Sequence, residues 1–148
     1  MIKRFVLFFL VFVVLFSSMA LGDEPKECDA ITDTIVIDLQ GDPRFTYLGN
    51  ISISLSIDEN GYITYGGSAR TSGYDLRINL YLQCSGNGFL WDDLECYINT
   101  GYNFVMSNGS RTVPENELFY RAKIVAEVLD SNRNVLETAT GYSDSERY

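Results

Sequence analysis

Residues 51–58, ISISLSID, alternate without a break: Ile51, Ile53, Leu55 and Ile57 fall on one side of an extended chain, and Ser52, Ser54, Ser56 and Asp58 on the other. Successive side chains of a strand point to opposite faces, so this pattern makes a strand with one greasy and one wet side, not a helix. Such a strand needs an apolar layer against it, and the chain supplies further segments of the same kind. Residues 75–83, DLRINLYLQ, set Leu76, Ile78, Leu80 and Leu82 against Arg77, Asn79, Tyr81 and Gln83. Within residues 118–129, Tyr120, Ala122, Ile124, Ala126 and Val128 share a side. Helix formers such as Glu117, Ala122 and Leu129 compete there, but the β-branched Ile124, Val125 and Val128 and the turn residues at both ends favour a strand.

Extended runs recur at 31–39, 51–57, 62–69, 75–83, 89–98, 102–106, 118–129 and 135–142, separated by turn residues. Asn60-Gly61 suits a tight hairpin. Gly66-Gly67 suggests a bulge or a close backbone approach. Trp91, Leu94 and Tyr97 break the period, and a bulge there would restore them to one side. Short strands joined by short turns predict an all-β fold, an immunoglobulin-like or fibronectin-like antiparallel β-sandwich of about seven or eight strands. Its two layers pack about 10 Å apart. Tyr120, just past the acidic loop 114–117, stands where such sandwiches carry a tyrosine corner, with a core tyrosine as the other reading; either role is structural.

Ahead of this domain, Lys3 and Arg4 precede an apolar run from Phe5 to Phe16, and Ser18, Ala20 and Gly22 follow before the charges begin at Asp23. That order is the pattern of a secretory signal peptide, residues 1–22, with cleavage after Ala20 or Gly22. A membrane-spanning helix needs about 20 apolar residues, more than this run offers. The expected organisation is the signal peptide, a short polar arm at 23–30 and the β-sandwich at 31–148. The expected location is extracellular, with no membrane attachment after cleavage.

Removing the signal takes away two cations and no acid, so the formal net charge moves from −9 to −11. Such an acidic chain is ill suited to nucleic acid, whose affinity rests on Lys and Arg neutralising phosphates. Cys28, Cys84 and Cys96 all follow the signal, and an odd count leaves at least one thiol out of any internal pairing. Cys84 and Cys96 flank a hairpin and form the disulfide candidate. If Gly86 and Asn87 centre a tight turn, their sulfurs stand roughly 20 Å apart, and only a wide loop lets them meet. Three free thiols is the rival arrangement.

The chemistry-bearing residues are few. There is no histidine, hence no usual base for a serine or cysteine nucleophile, and no CxxC pair. Asp92 and Asp93 are neighbours on a strand and face opposite ways, which does not suit a pair of catalytic carboxylates. Asp58, Glu59 and Asn60 lack the further oxygen ligands of a calcium loop. We therefore expect no catalytic residue, no cofactor and no metal. The aromatic content is higher in promise: 14% of the chain, with ten tyrosines and the single Trp91 all beyond the signal. A tyrosine offers a flat apolar face and a hydroxyl to a carbohydrate or protein surface. Tyr81, with Arg77, Asn79 and Gln83 on the same side of its strand, is the candidate binding surface.

Four stretches, ISLSIDENGYIT, INLYLQ followed by Trp91-x-x-Leu94-x-x-Tyr97, FYRAKIVAEV and VLETATGYS, resemble a family of small secreted proteins of Gram-positive anaerobic bacteria of unknown function. The resemblance covers roughly residues 51–142 and implies an immunoglobulin-like sandwich behind a signal peptide, with no catalytic residues to carry over. Tyr97 stands where the family usually has tryptophan, and Cys84 and Cys96 where polar residues are expected, so a shared binding surface is not implied. Two functions follow as expectations. One is a secreted, non-catalytic module that binds an extracellular glycan or protein surface; the other is a structural component that assembles through strand edges or the spare cysteine.

Overall fold

The computed structural model describes residues 33–148; the expected signal peptide and polar arm, and Cys28, lie outside the described residues. Seven strands form: β1 (Thr34–Asp38), β2 (Leu48–Ile57), β3 (Tyr62–Ser85), β4 (Asp92–Thr112), β5 (Phe119–Leu129), β6 (Val135–Tyr142) and β7 (Glu146–Arg147). All pairings are antiparallel, and no helix occurs among the described residues.

Two of these strands are far longer than the sequence pattern suggests. Runs 62–69 and 75–83 belong to one strand of 24 residues, and run 102–106 and all of run 89–98 but its first three residues fall in one of 21. The turn residues between them bend the chain instead of ending it. Register between β3 and β4 jumps from Arg70↔Phe104 to Asp75↔Tyr102, so four residues of β3 bulge against one of β4. Gly73 sits there at φ +86° and Asn103 opposite at φ +64°, both in the left-handed region that Gly and Asn tolerate best. The Asn103 Oδ1 accepts the Gly73 N–H at 2.6 Å, which pins the two bends together.

This bend sets the architecture. One edge of β3 carries β4 along nearly its whole length. The other carries β2 over the first half and β5 over the second. The sheet therefore forks into a first limb, β1–β2–β3, and a second, β3–β5–β6, and curls into a half-barrel. It is one continuous hydrogen-bonded sheet, where the sequence suggested two separate ones. Ile51, Ile53, Leu55, Ile63 and Ala69 from the first limb pack with Leu76, Ile78, Leu80, Leu82, Ile124 and Val128 from the second, all at most 3% exposed. The greasy side of the opening stretch thus meets the other half of its own sheet. The limbs approach closely: a Cβ added at Gly67 would come within 2.9 Å of Ile124 Cδ1. The pairing Ile53↔Gly67 and Ser54↔Gly66 is unbroken, so the glycine pair marks close approach and not a bulge.

Polar contacts join the limbs at their rims. The Glu137 carboxylate on β6 accepts the backbone N–H groups of Thr46, Tyr47 at 3.0 Å and Leu48 at 2.8 Å. Glu146 Oε2 accepts the Ile57 N–H at 3.1 Å, and burial pushes this carboxyl above the usual range. On the β4 side, the Tyr65 hydroxyl donates to Glu95 at 2.8 Å, and Arg111 pairs with the same carboxylate at 3.0 Å. Tyr120 is fully buried at the start of β5, and its hydroxyl meets the Asn116 side-chain amide, at 2.9 Å from Nδ2 and 3.2 Å from Oδ1. It reaches back to the preceding loop as a tyrosine corner does, but to a side chain and not to backbone.

The cysteine expectation needs correction. Cys84 and Cys96 are both free. The connection at residues 86–91 is wider than a tight turn, so Cys84 pairs with Asp92 and Cys96 with Tyr81. Cys84 packs against the core, whereas Cys96 is exposed on the outward face, so their sulfurs point to opposite sides of the sheet. Burial, with the Asp92 charge nearby, holds the Cys84 thiol above its ordinary pKa.

Candidate binding face

Position along the strand decides which side chains reach solvent on the second limb. Leu76, Ile78, Leu80 and Leu82 turn inward, so Arg77, Asn79, Tyr81 and Gln83 turn outward, and antiparallel register sets each in a cross-strand row. The rows run Thr100–Arg77–Glu127, Ile98–Asn79–Val125, Cys96–Tyr81–Lys123 and Asp93–Gln83–Arg121, from β4 across β3 to β5.

These four residues share a face but not a condition. Arg77 is held in an ion pair with Glu127. Gln83 is buried and fully engaged, donating from Nε2 to Asp93 at 2.6 Å and accepting from Arg121 Nε at 2.8 Å. Asn79 lies between two apolar neighbours, and its buried Oδ1 has no hydrogen-bond partner. Tyr81 is half-buried with Lys123 Nζ 5.0 Å from its ring centre. Burial, and next the neighbouring Cys96 thiol, hold its phenol above the ordinary range.

Beside them is a cluster that sequence reasoning did not find. The Arg121 guanidinium lies between two rings, 4.0 Å from the centre of Trp91 and 4.3 Å from that of Tyr142. Its contributors sit in the β3–β4 loop, on β5 and at the end of β6, and no local pattern links positions 91, 121 and 142. The expected bulge does occur in β4, where Leu82↔Glu95 is followed by Gln83↔Asp93 and Leu94 is left over. It sends Leu94 toward the core, but Trp91 ends on the outer face with Arg121 and not beside Tyr97. Burial lowers the Arg121 pKa from its very high ordinary value.

Trp91 itself is placed by loop chemistry. Ser85 Oγ accepts the N–H groups of Asn87 and Gly88, and Asn87 Oδ1 those of Phe89 and Leu90. The indole N–H donates to the Gly88 carbonyl at 3.2 Å. A separate open depression of about 500 Å³ lies by β2, β3 and β4, lined by Ser54, Tyr65, Gly66, Tyr97, Asn108 and Gly109. Asp92 and Asp93 lie opposite Cys84 and Gln83 and so face different sides of the sheet. Among the described residues, no three carboxylates or thiols stand together as metal ligands. Comparison of the chain with protein-family models, curated proteins and solved structures finds no match.

Proposed function

We propose that this protein is exported by its signal peptide and works outside the cell as a non-catalytic binding module. Its fold is read as a sandwich of the immunoglobulin-like kind, and its ligand as an extracellular glycan or protein surface. The observation that carries the reading is the strip of rings and cations on the second limb: Trp91, Arg121, Tyr142, Lys123 and Tyr81. In a chain of net charge −9 this strip concentrates positive charge beside flat aromatic surface. Rings stack on sugar or apolar faces, while Arg and Lys favour a ligand bearing carboxylates or sulfates. The side chains reach the surface from adjacent strands, save Trp91, which the hydrogen-bonded β3–β4 loop holds in place.

The test is a glycan array and a pull-down from culture supernatant with the intact protein and with Tyr81→Ala, Arg77→Ala and Arg121→Ala variants. Loss of one common interaction in the Tyr81 and Arg121 variants supports the assignment. Retention of every interaction by all three sinks it. A second reading, a self-assembling envelope component, is favoured by a different observation, the unpaired outer edge of β4.

A further inference from the structure

Strand β4 is bonded to β3 along one edge, and no strand among the described residues pairs with the other. Proteins ordinarily protect such an edge with charge, proline, brevity or a bulge that twists it away. Over residues 96–110, CYINTGYNFVMSNGS, this edge has no charged residue and no proline. Its even-numbered side chains lie opposite Tyr81, Asn79, Arg77, Asp75, Arg70, Ser68, Gly66 and Thr64 and so share the outer face. Four of them are apolar and exposed: Ile98 63%, Tyr102 63%, Phe104 45% and Met106 53%.

We propose that a second copy of this chain pairs with this edge, β4 against β4, antiparallel about a two-fold axis at Asn103. The partner is chosen by charge. Most foreign surfaces would present charged groups to this neutral seam, whereas a second copy presents the same uncharged run. The register is chosen in two steps. Sheet sidedness requires outward residues to meet outward residues, so the axis passes through a residue and not between two. Centring on Asn103 then lays the uncharged run wholly against itself and brings Glu95 opposite the second copy's Arg111. Moving the axis by one residue sets Glu95 against Gly109 or Val113 instead. The same centring places Phe104 beside the second copy's Tyr102, so four rings gather over the axis.

The bend does not oppose this pairing. Asn103 is the bend residue, and the arms on either side of it, 92–102 and 104–112, are of similar length. Asn99 Nδ2 donates to the Met106 carbonyl at 3.0 Å and ties the arms at a set angle. A two-fold axis through the apex maps one bent strand onto another with the same bend, and the two half-barrels continue as one sheet. An isologous contact of this kind closes at the dimer and does not propagate.

The experiment uses protein expressed from the full sequence, sized by sedimentation equilibrium. A dimer is expected, and Met106→Glu should abolish it by placing two carboxylates in the seam. Thr100→Lys combined with Met106→Glu should restore it, because position 100 lies opposite position 106 of the second copy; Thr100→Glu with Met106→Glu should not. In a second test, Ser110→Cys should form a disulfide-linked dimer through the native Cys96 of the second copy, with dissolved oxygen as oxidant, and Cys96→Ser should remove it. Positions 96, 100, 106 and 110 are all exposed, so these variants keep the fold. A monomer at every concentration overturns the proposal, as does a dimer indifferent to the charge swap, or a chain that captures only some other protein by this edge. Sedimentation reads the pairing separately from ligand capture, which the β3 and β5 variants test, although positions 96 and 100 are the row neighbours of Tyr81 and Arg77.

Discussion

On the first limb the outward side chains are mostly short, among them Ser52, Ser54, Thr64 and Ser68, with Arg70 against the Phe104 ring beside the bend; on the second they include Arg77, Tyr81, Arg121 and Lys123, although β3 and β4 run through both. The inward side chains of the two limbs are nearly interchangeable, being mostly isoleucine, leucine, valine and alanine, with one buried tyrosine in each, Tyr65 and Tyr120. Packing dictates the inner faces, since each must fill the same shared interior. The outer faces have no such constraint and have diverged in chemistry. On the first, short hydroxyls satisfy one another, as the 2.7 Å contact between Ser52 Oγ and Ser68 Oγ shows. On the second, long side chains stack rings on cations, and Asn79 keeps an acceptor without a donor.

The comparison breaks most severely if the limbs do not share their interior. Ile124→Ala and Ile53→Ala, one from each limb and each at most 1% exposed, should both lower the unfolding free energy by about 3 kcal/mol in urea titration. A near-zero effect for either would mean that its limb does not depend on the other. Glu137→Ala should cost about 2 kcal/mol, because several backbone N–H groups at the limb junction lose their acceptor. Glu137→Gln should recover part of this, since an amide oxygen still accepts.

Sharper still is the contrast between the outer faces. Trp91→Ala should change stability by no more than about 1 kcal/mol while removing capture of the ligand found by array or pull-down, and Ser54→Ala should alter neither by a measurable amount. Equal loss in both variants would move the binding site to the depression lined by Ser54 and Gly66. The smallest effect belongs to Glu146. Its pKa is raised in the fold, so its contribution favours the folded state at acid pH, where it is protonated, and is lost as pH rises through the raised value. Glu146→Gln should therefore be the more stable protein at neutral pH, with the difference closing below the carboxylate range in thermal melts at several pH values.

The inward and outward assignment of Leu76 to Gln83 was legible because period two survives wherever one face is buried and the other is wet. The lengths of β3 and β4 were not, because Ser72-Gly73 and Asn103 carry the same residue types whether a chain turns back or merely bends. Nothing local tells a hairpin from a kink; the neighbouring strand decides by continuing past it. The states of Arg77 and Gln83 were equally hidden, since Glu127 and Arg121 reach them across the sheet from distant parts of the chain, and Asp93 reaches Gln83 through a register set by the β4 bulge. The same holds for Glu137 and Glu146, which look like solvent charges in sequence and act as acceptors for backbone in β2 and its approach. The tight turn assumed at Gly86-Asn87 failed because Ser85 and Asn87 stabilise a longer loop with their own side chains, and this also changed where Cys96 falls.

Strand β3 belongs to both layers at once, and this removes any seam along which the domain could come apart. No cut of the backbone yields one layer complete without severing the other, so the protein should melt in a single step, with calorimetric and van't Hoff enthalpies equal. A protease that nicks the kink at Gly73 would then dismantle the whole and not trim a part.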